Sequence, residues 1–421
     1  MPENEFENVP RLPSAQGQLQ VYLVAQRTQK PVSGAAVEIT YEGDPDSEVR
    51  RYTTDESGMT PLIELPAPNL EYSTQFSEEQ PYSEYTIRIR AEDYEDAEVA
   101  GTEILPGVVA IQKIELMAAT AEETFERIVI GPHTLFGDYP PKIAEPEIKP
   151  TTETGEIVLS RVVVPEYVIV HDGVPSDSSA KNYWVRYRDY IKNVASSEIY
   201  ATWTDAAIRA NVLAIMSFVL NRVYTEWYRN QGYDFTITSS TAFDQKWIYG
   251  RNVFQTISNV VDEMFGNYLS RPNVKQPILT QYCDGRRVTC PNWMSQWGAQ
   301  SLGERGYSAI EILRYYYGDS IYINTAVEIS GVPSSWPGYE LAQGASGGKV
   351  RQMQEQLNTI SNSYPALPKI AADGIFGPAT KAAVEKFQSI FGLPVTGIVN
   401  YPTWYKISEI YVGVSRIAEL R

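Results

Sequence analysis

At about 150 residues per domain, a chain of 421 residues implies roughly three domains. With 43% hydrophobic, 21% charged and 12% aromatic residues it can bury a core, so wholesale disorder is excluded. Two His and two Cys exclude a multi-metal site or a disulfide-built scaffold, and a formal charge of −17 argues against a nucleic-acid partner. The charge is uneven. Residues 1–150 carry 28 Asp and Glu against 11 Lys and Arg, a surplus of 17 negative charges, whereas residues 151–421 carry 24 of each. The first third is therefore expected to be a separate, highly solvated body. The start, Met1-Pro2-Glu3-Asn4-Glu5-Phe6, is acidic and has no apolar core of a secretory signal, so synthesis in a cytosol without a standard signal peptide is expected. The apolar run Val212–Leu220 is too short to span a bilayer, and no membrane span is expected.

Residues 17–117 read as strands. Leu19, Val21 and Leu23 alternate with Gln20 and Tyr22, Ile87 and Ile89 alternate with Arg88 and Arg90, and Val109, Ile111 and Ile114 close the block. Asp55-Glu56-Ser57-Gly58 predicts a turn whose Gly takes positive φ. The order of these runs resembles the transthyretin-like, carboxypeptidase-regulatory-type β-sandwich, which implies an N-terminal β-sandwich over residues 1–130. Residues 131–163 carry Gly131-Pro132, Pro140-Pro141, Pro146 and Pro150, then Thr151 to Gly155. By composition this is a Pro-rich linker with nothing to bury, and exposed linkers are where proteases cut.

The third block, residues 164–335, reads as an α+β domain. Tyr167–His171 is a short strand. Trp184, Tyr187, Arg188, Ile191, Val194, Ala195 and Glu198 fall at helical spacing. Ala206–Val223 is apolar nearly all round and predicts a buried helix, with Thr204 or Asp205 at its N-cap. A further helix is predicted over about 253–269. Glu198 shares a helix face with Ile191, Val194 and Ala195, so its carboxyl is expected to point into the core. Burial raises a carboxyl's pKa, which suits a general acid in glycoside cleavage; the plainer reading is a structural Glu bonded to the next helix.

The stretch Tyr190 to Ala207, with Val194, Glu198 and Trp203, resembles the core of the stage II sporulation protein D family. So does Ser295-Gln296-Trp297-Gly298-Ala299 followed by Gly306-Tyr307…Glu311-Ile312-Leu313…Tyr316-Tyr317-Gly318. The resemblance covers about residues 164–325. It implies lytic transglycosylase activity on peptidoglycan, with Glu198 as the single catalytic acid. Asp205, Asp244 and Asp284 are possible helpers. The chain departs from the family at Ile199-Tyr200, at Met216-Ser217-Phe218 and at Cys290-Pro291-Asn292-Trp293, which bears on substrate contacts more than on reaction type. Candidate sugar contacts are Tyr249, Trp293, Trp297 and Tyr316 by stacking and Ser295 and Gln296 by hydrogen bonding, each weighed against ordinary packing. Cys283 and Cys290 flank Asp284-Gly285 and read as free thiols, a disulfide or half a metal site; two ligands do not close a zinc site, so no metal and no cofactor is expected.

Residues 338–421 predict a small three-helix unit. Val350, Met353, Gln354, Leu357 and Ile360 mark one face, and Thr380, Ala383, Val384 and Phe387 another, with Pro378 just inside a helix start. The runs Asp373-Gly374-Ile375-Phe376-Gly377-Pro378 and Gly392-Leu393-Pro394-Val395-Thr396-Gly397 resemble the peptidoglycan-binding three-helix domain, which implies wall contacts near Asp373, Phe376 and Thr380.

Together the three units resemble the clostridial spore cortex-lytic enzymes. That resemblance implies a zymogen located in the cortex and coat region of the spore. A germination serine protease would activate it by cutting between about Pro140 and Pro165, and the substrate would be cortex peptidoglycan. Cutting there would discard the whole acidic surplus. The alternatives are a catalytically idle peptidoglycan-binding spore protein and an N-acetylmuramoyl-L-alanine amidase, the latter disfavoured by the shortage of His.

Overall fold

The computed structural model describes residues 15–44, 47–120, 125–149 and 159–415. The strict alternation of the first block becomes two facing sheets. Leu19, Val21 and Leu23 are buried along Ala15–Ala25, while Gln18, Gln20 and Tyr22 stay half-buried. One sheet runs Val253–Phe254, Val109–Leu116, Ala15–Ala25, Ile63–Ala67; the other runs Arg50–Thr53, Ala36–Tyr41, Ser83–Arg90, Ala97–Ile104, Glu126–Val129. The predicted turn forms as expected. The Asp55 carboxylate accepts from the Ser57 and Met59 N–H groups at 2.8 and 3.0 Å, and Gly58 has φ +75°.

The acidic third is not a free body. Val253–Phe254 belongs to the central block, yet it pairs antiparallel with Ala110 and Ile111 as the edge of the sandwich sheet. Beside it, the Asn252 side chain accepts from the Glu103 N–H and donates to the Glu103 carbonyl, both at 3.0 Å, in the manner of a strand neighbour. Glu103 and Arg251 form an ion pair at 2.5 Å with both side chains out of solvent. Losing one partner of such a pair costs about 3–5 kcal/mol, because the other charge is left buried and uncompensated.

In the central block Asp205–Tyr224 is the core helix. Thr204 caps it by accepting from the Ala207 N–H. Its best 18-residue window has a mean hydropathy of 1.4, which by length and composition alone would cross a membrane, but 83% of that window is buried inside the protein. It is the buried helix that the apolar stretch Ala206–Val223 predicts. The helices Tyr187–Glu198, Gln255–Met264, Gln296–Glu304 and Ala309–Tyr317 surround it, with a small sheet of Asn182–Arg186, Tyr167–His171 and Ile237–Thr238. Two boundaries differ from the sequence reading. Trp184 lies in the strand Asn182–Arg186, paired with Ile169, not in the helix. The helix expected over 253–269 occupies only Gln255–Met264, because Asn267–Ser270 pairs with Tyr322–Thr325 as a strand.

The C-terminal helices are Gly348–Ser361, Pro378–Ile390 and Tyr401–Ser415. Two buried glutamines build the same knot twice. Gln354 accepts from the Gly374 N–H at 2.8 Å and donates to the Ile375 carbonyl and the Thr380 hydroxyl at 3.0 and 3.1 Å. Gln388 accepts from the Gly397 N–H at 2.9 Å and donates to the Ile398 carbonyl and the Thr403 hydroxyl at 2.8 and 3.1 Å. A buried amide that meets all its partners rigidifies a small core.

The Pro-rich segment departs most from expectation. Composition suggests a spacer with nothing to bury, but residues 131–149 are docked along the central block, and His133, Leu135 and Lys149 are buried. Residues 150–158, a large part of the expected processing region, lie outside the described residues.

Candidate active site

Glu198 is the last residue of the Tyr187–Glu198 helix. Ile191, Val194 and Ala195 pack its face fully into the core, and Glu198 is itself 3% exposed. Ile199 turns extended, at φ −139°, and releases the chain from the helix there. One carboxylate oxygen accepts from the Lys246 N–H at 2.7 Å and the other from the Tyr282 hydroxyl at 2.5 Å. The Gln296 side chain donates to the Glu198 main-chain carbonyl at 3.1 Å. Burial pushes the carboxyl above its usual range; the Lys142 ammonium, the Lys246 N–H and the Tyr282 hydroxyl oppose that shift by favouring the ionised form. Burial beside the Glu198 charge pushes the Tyr282 phenol well up, so it stays a donor. The carboxyl opens on a cleft of about 180 Å³, lined on one side by Tyr282, Asp284, Arg287 and Gln296 and on the other by Thr134, Gly137, Tyr139 and Lys142.

Tyr282 is held from two directions. Tyr282 and Cys283 pair with Met294 and Ser295 as short strands. Cys283 and Cys290 are joined as a disulfide, which decides among the three readings and leaves neither sulfur a free thiolate. Inside the loop so closed, the Asp284 carboxylate accepts from the Arg287 and Val288 N–H groups, both at 2.8 Å.

Among the sugar contacts expected from sequence, all of them described residues, only Gln296 lines this cleft. Trp297 presents no face to a sugar here: it is 5% exposed and packs on Tyr200, Trp203 and Phe76. Ser295 is the N-cap of the Gln296–Glu304 helix, accepting from the Gly298 N–H at 2.9 Å. Trp293 and Tyr316 are half-buried. Tyr249 stacks on Tyr183 at 5.0 Å and donates to Glu126 of the sandwich. Of the three helpers, Asp205 is a surface partner of Arg209. Asp244 is fully buried, holding Arg222, Tyr228 and Thr238. Asp284 alone of the three lines the cleft. In the C-terminal unit Phe376 and Thr380 are buried core residues, and Asp373 closes its turn by accepting from the Ile375 N–H at 2.8 Å; all three are engaged in the fold itself.

The residues missed from sequence are Tyr282, Lys246 and Lys142. Tyr282 is 84 positions from Glu198 and Lys246 is 48, distances at which no periodicity carries information.

Residues 346–407 match the family model of the peptidoglycan binding domain, and the C-terminal unit is such a domain. Over 77 residues, 18% of this chain, the sequence is 44% identical to a zinc D-Ala-D-Ala carboxypeptidase of Streptomyces albus G, covering 28% of that protein. Over 68 residues, 16% of this chain, it is 43% identical to an uncharacterized protein of Kitasatospora aureofaciens, covering 53% of it. The chain thus spans about a quarter and about half of the length of these curated relatives. Among solved structures, the SleB N-terminal domain is 30% identical, over 18% of this chain and 99% of that one, with a TM-score of 0.16. Transthyretin from Sparus aurata is 14% identical over 24% of this chain and 91% of that one, with a TM-score of 0.15.

Proposed function

We propose that this protein is a cell-wall enzyme of the bacterial spore, a lytic transglycosylase acting on cortex peptidoglycan, made as a latent precursor. The observation that carries the reading is one carboxyl, that of Glu198, buried at a helix end, given two donors and opening on a cleft, in a chain that also holds a peptidoglycan-binding domain.

In this reaction Glu198, whose neutral form burial favours, gives its proton to the oxygen between N-acetylmuramic acid and N-acetylglucosamine as the bond to the muramic C1 breaks. The resulting carboxylate takes the proton of the muramic C6 hydroxyl, whose oxygen bonds to C1 as a 1,6-anhydro ring. Glu198 ends protonated, no water is consumed, and no second carboxylate is required, unlike in two-carboxylate hydrolysis. The Tyr282 hydroxyl and the Lys246 N–H steady the carboxylate between the two transfers. The C-terminal domain keeps the enzyme on its polymer. Removal of the N-terminal segment by a germination serine protease accounts for a precursor whose cleft is crossed by its own chain.

Digestion of spore cortex with protease-cut wild type and with the Glu198→Gln variant tests this. Wild type releases 1,6-anhydro-muropeptides, and the variant loses about 10²–10⁴-fold in rate, the range of a general acid. Equal product from both would leave a wall-binding protein with a structural Glu198.

A further inference from the structure

The Pro-rich segment, docked where composition expects a spacer, lies in a groove of the central block as an extended peptide would. The Gln281 side chain accepts from the Glu145 N–H at 2.9 Å and donates to the Ile143 carbonyl at 2.7 Å. The Gln276 side chain does the same for the N–H and carbonyl of Lys149, at 3.1 and 3.0 Å. Ile143 donates to the Ala242 carbonyl at 2.7 Å, and the Glu147 carbonyl accepts from the Leu279 N–H at 2.8 Å. Two arginine forks close on its carboxylates: Arg222 on Glu145, at 2.6 and 3.0 Å, and Arg271 on Glu147, at 2.6 and 2.8 Å. Paired contacts of this kind combine charge with geometry.

Upstream, the same segment meets the helix end that carries Glu198. Thr134 donates to the Ser197 carbonyl at 2.9 Å, and the His133 ring contacts the Ile199 carbonyl at 3.3 Å. Between these anchorages Lys142 turns inward. Its ammonium donates to the Asp244 carbonyl and stands 5.3 Å from the ring of Tyr282, the residue that donates to Glu198.

We propose that residues 132–149 are an autoinhibitory strap that fills the glycan groove of the precursor, with the Lys142 ammonium occupying the place beside Glu198 that a glycosidic oxygen would take. This rests on the reading of Glu198 as the acid and names how that site is kept silent. The strap acts in two ways. It walls one side of the cleft and narrows the path for a glycan strand, and its ammonium favours the ionised carboxylate, the form with no proton to give. The opposing pull of Lys142 on the Glu198 carboxyl agrees with the second. The Glu145 and Glu147 forks mean that the strap must be drawn out of its groove, and that a severed peptide bond alone does not clear the site.

The test uses the full, uncut chain. Carbodiimide with an amine nucleophile labels protonated, reachable carboxyls, and the Glu198 peptide is followed by mass spectrometry. Lys142→Ala is expected to raise Glu198 labelling about tenfold, the equivalent of roughly one unit in the carboxyl's pKa, while Lys142→Arg leaves it low. Glu147→Ala, which opens only the half-exposed Arg271 fork, is expected to raise labelling severalfold and keeps the test valid if Lys142→Ala folds poorly. Unchanged labelling in the folded variants would overturn the strap, as would an uncut wild type that cleaves cortex as fast as the cut protein. Labelling that rises while no form of the protein cleaves glycan would uphold the strap and refute the enzyme reading instead.

Discussion

Replacing Tyr282 with Phe keeps the ring and removes one oxygen, the donor 2.5 Å from the Glu198 carboxylate. Both groups are buried in the wall of the cleft, each 3% exposed. A hydrogen bond to a charged group contributes about 1.5–3 kcal/mol, which at about 1.4 kcal/mol per unit is roughly 1–2 pKa units. The bond favours the ionised form, so its loss moves an already raised pKa further up. A general acid works below its pKa. The limb on which cortex cleavage falls with rising pH should therefore move up by roughly 1–2 units in the protease-cut variant. Stability gives a second reading. A carboxyl whose folded pKa lies above its unfolded value stabilises the fold fully below the unfolded value, and that contribution is lost as pH rises through the folded one. Tyr282→Phe should therefore match wild type at acid pH, below the unfolded value, and be about 2 kcal/mol less stable at alkaline pH, above the folded one. Hydrogen exchange in the Tyr187–Glu198 helix reports this locally, which suits a multidomain chain. A pH limb that does not move, with equal protection at both pH values, would show that Tyr282 does not tune Glu198.

Two further outcomes follow from the geometry. Cys283→Ser with Cys290→Ser opens a loop closed by a bridge of sequence separation 7. It should cost roughly 2–3 kcal/mol by loop entropy, and turnover should fall more than substrate affinity because Tyr282 loses its anchor; kinetics with and without reductant will measure it. Gln354→Ala removes the amide that ties the Gly374–Ile375 turn to the Gly348–Ser361 helix. It should destabilise the C-terminal domain by about 2–4 kcal/mol and lower cosedimentation with insoluble peptidoglycan, while cleavage of short soluble glycan is unchanged.

What was legible in the sequence follows from the range of the forces involved. Strand alternation in the sandwich and the faces of the C-terminal helices are local patterns, and Leu19, Val21 and Leu23 or Val350, Met353 and Leu357 are buried as their spacing implies. Glu198 was legible for the same reason, being seven residues from Ile191 on one helix face. Trp184 shared that spacing and still sits in a strand, because its partner Ile169 is not a helix neighbour and spacing carries no sign of it. The Pro-rich segment was misread because composition reports what a chain can bury by itself. It is held largely through its own main chain and by side chains of Gln276, Gln281, Arg222 and Arg271, which lie elsewhere in the sequence.

The borrowed edge formed by Val253–Phe254 bears on the fate of the sandwich after any separation from the rest of the chain. Parted from that edge, Val109–Leu116 would offer unpaired N–H and carbonyl groups to other molecules, the usual template for fibril-like stacking. Lys113 and Glu115, paired at 2.8 Å along that strand, place fixed charges on the newly bared rim. Mutual repulsion among fragments rich in Asp and Glu would add to this protection. The heavy acidity of the first third would then keep released fragments from clumping.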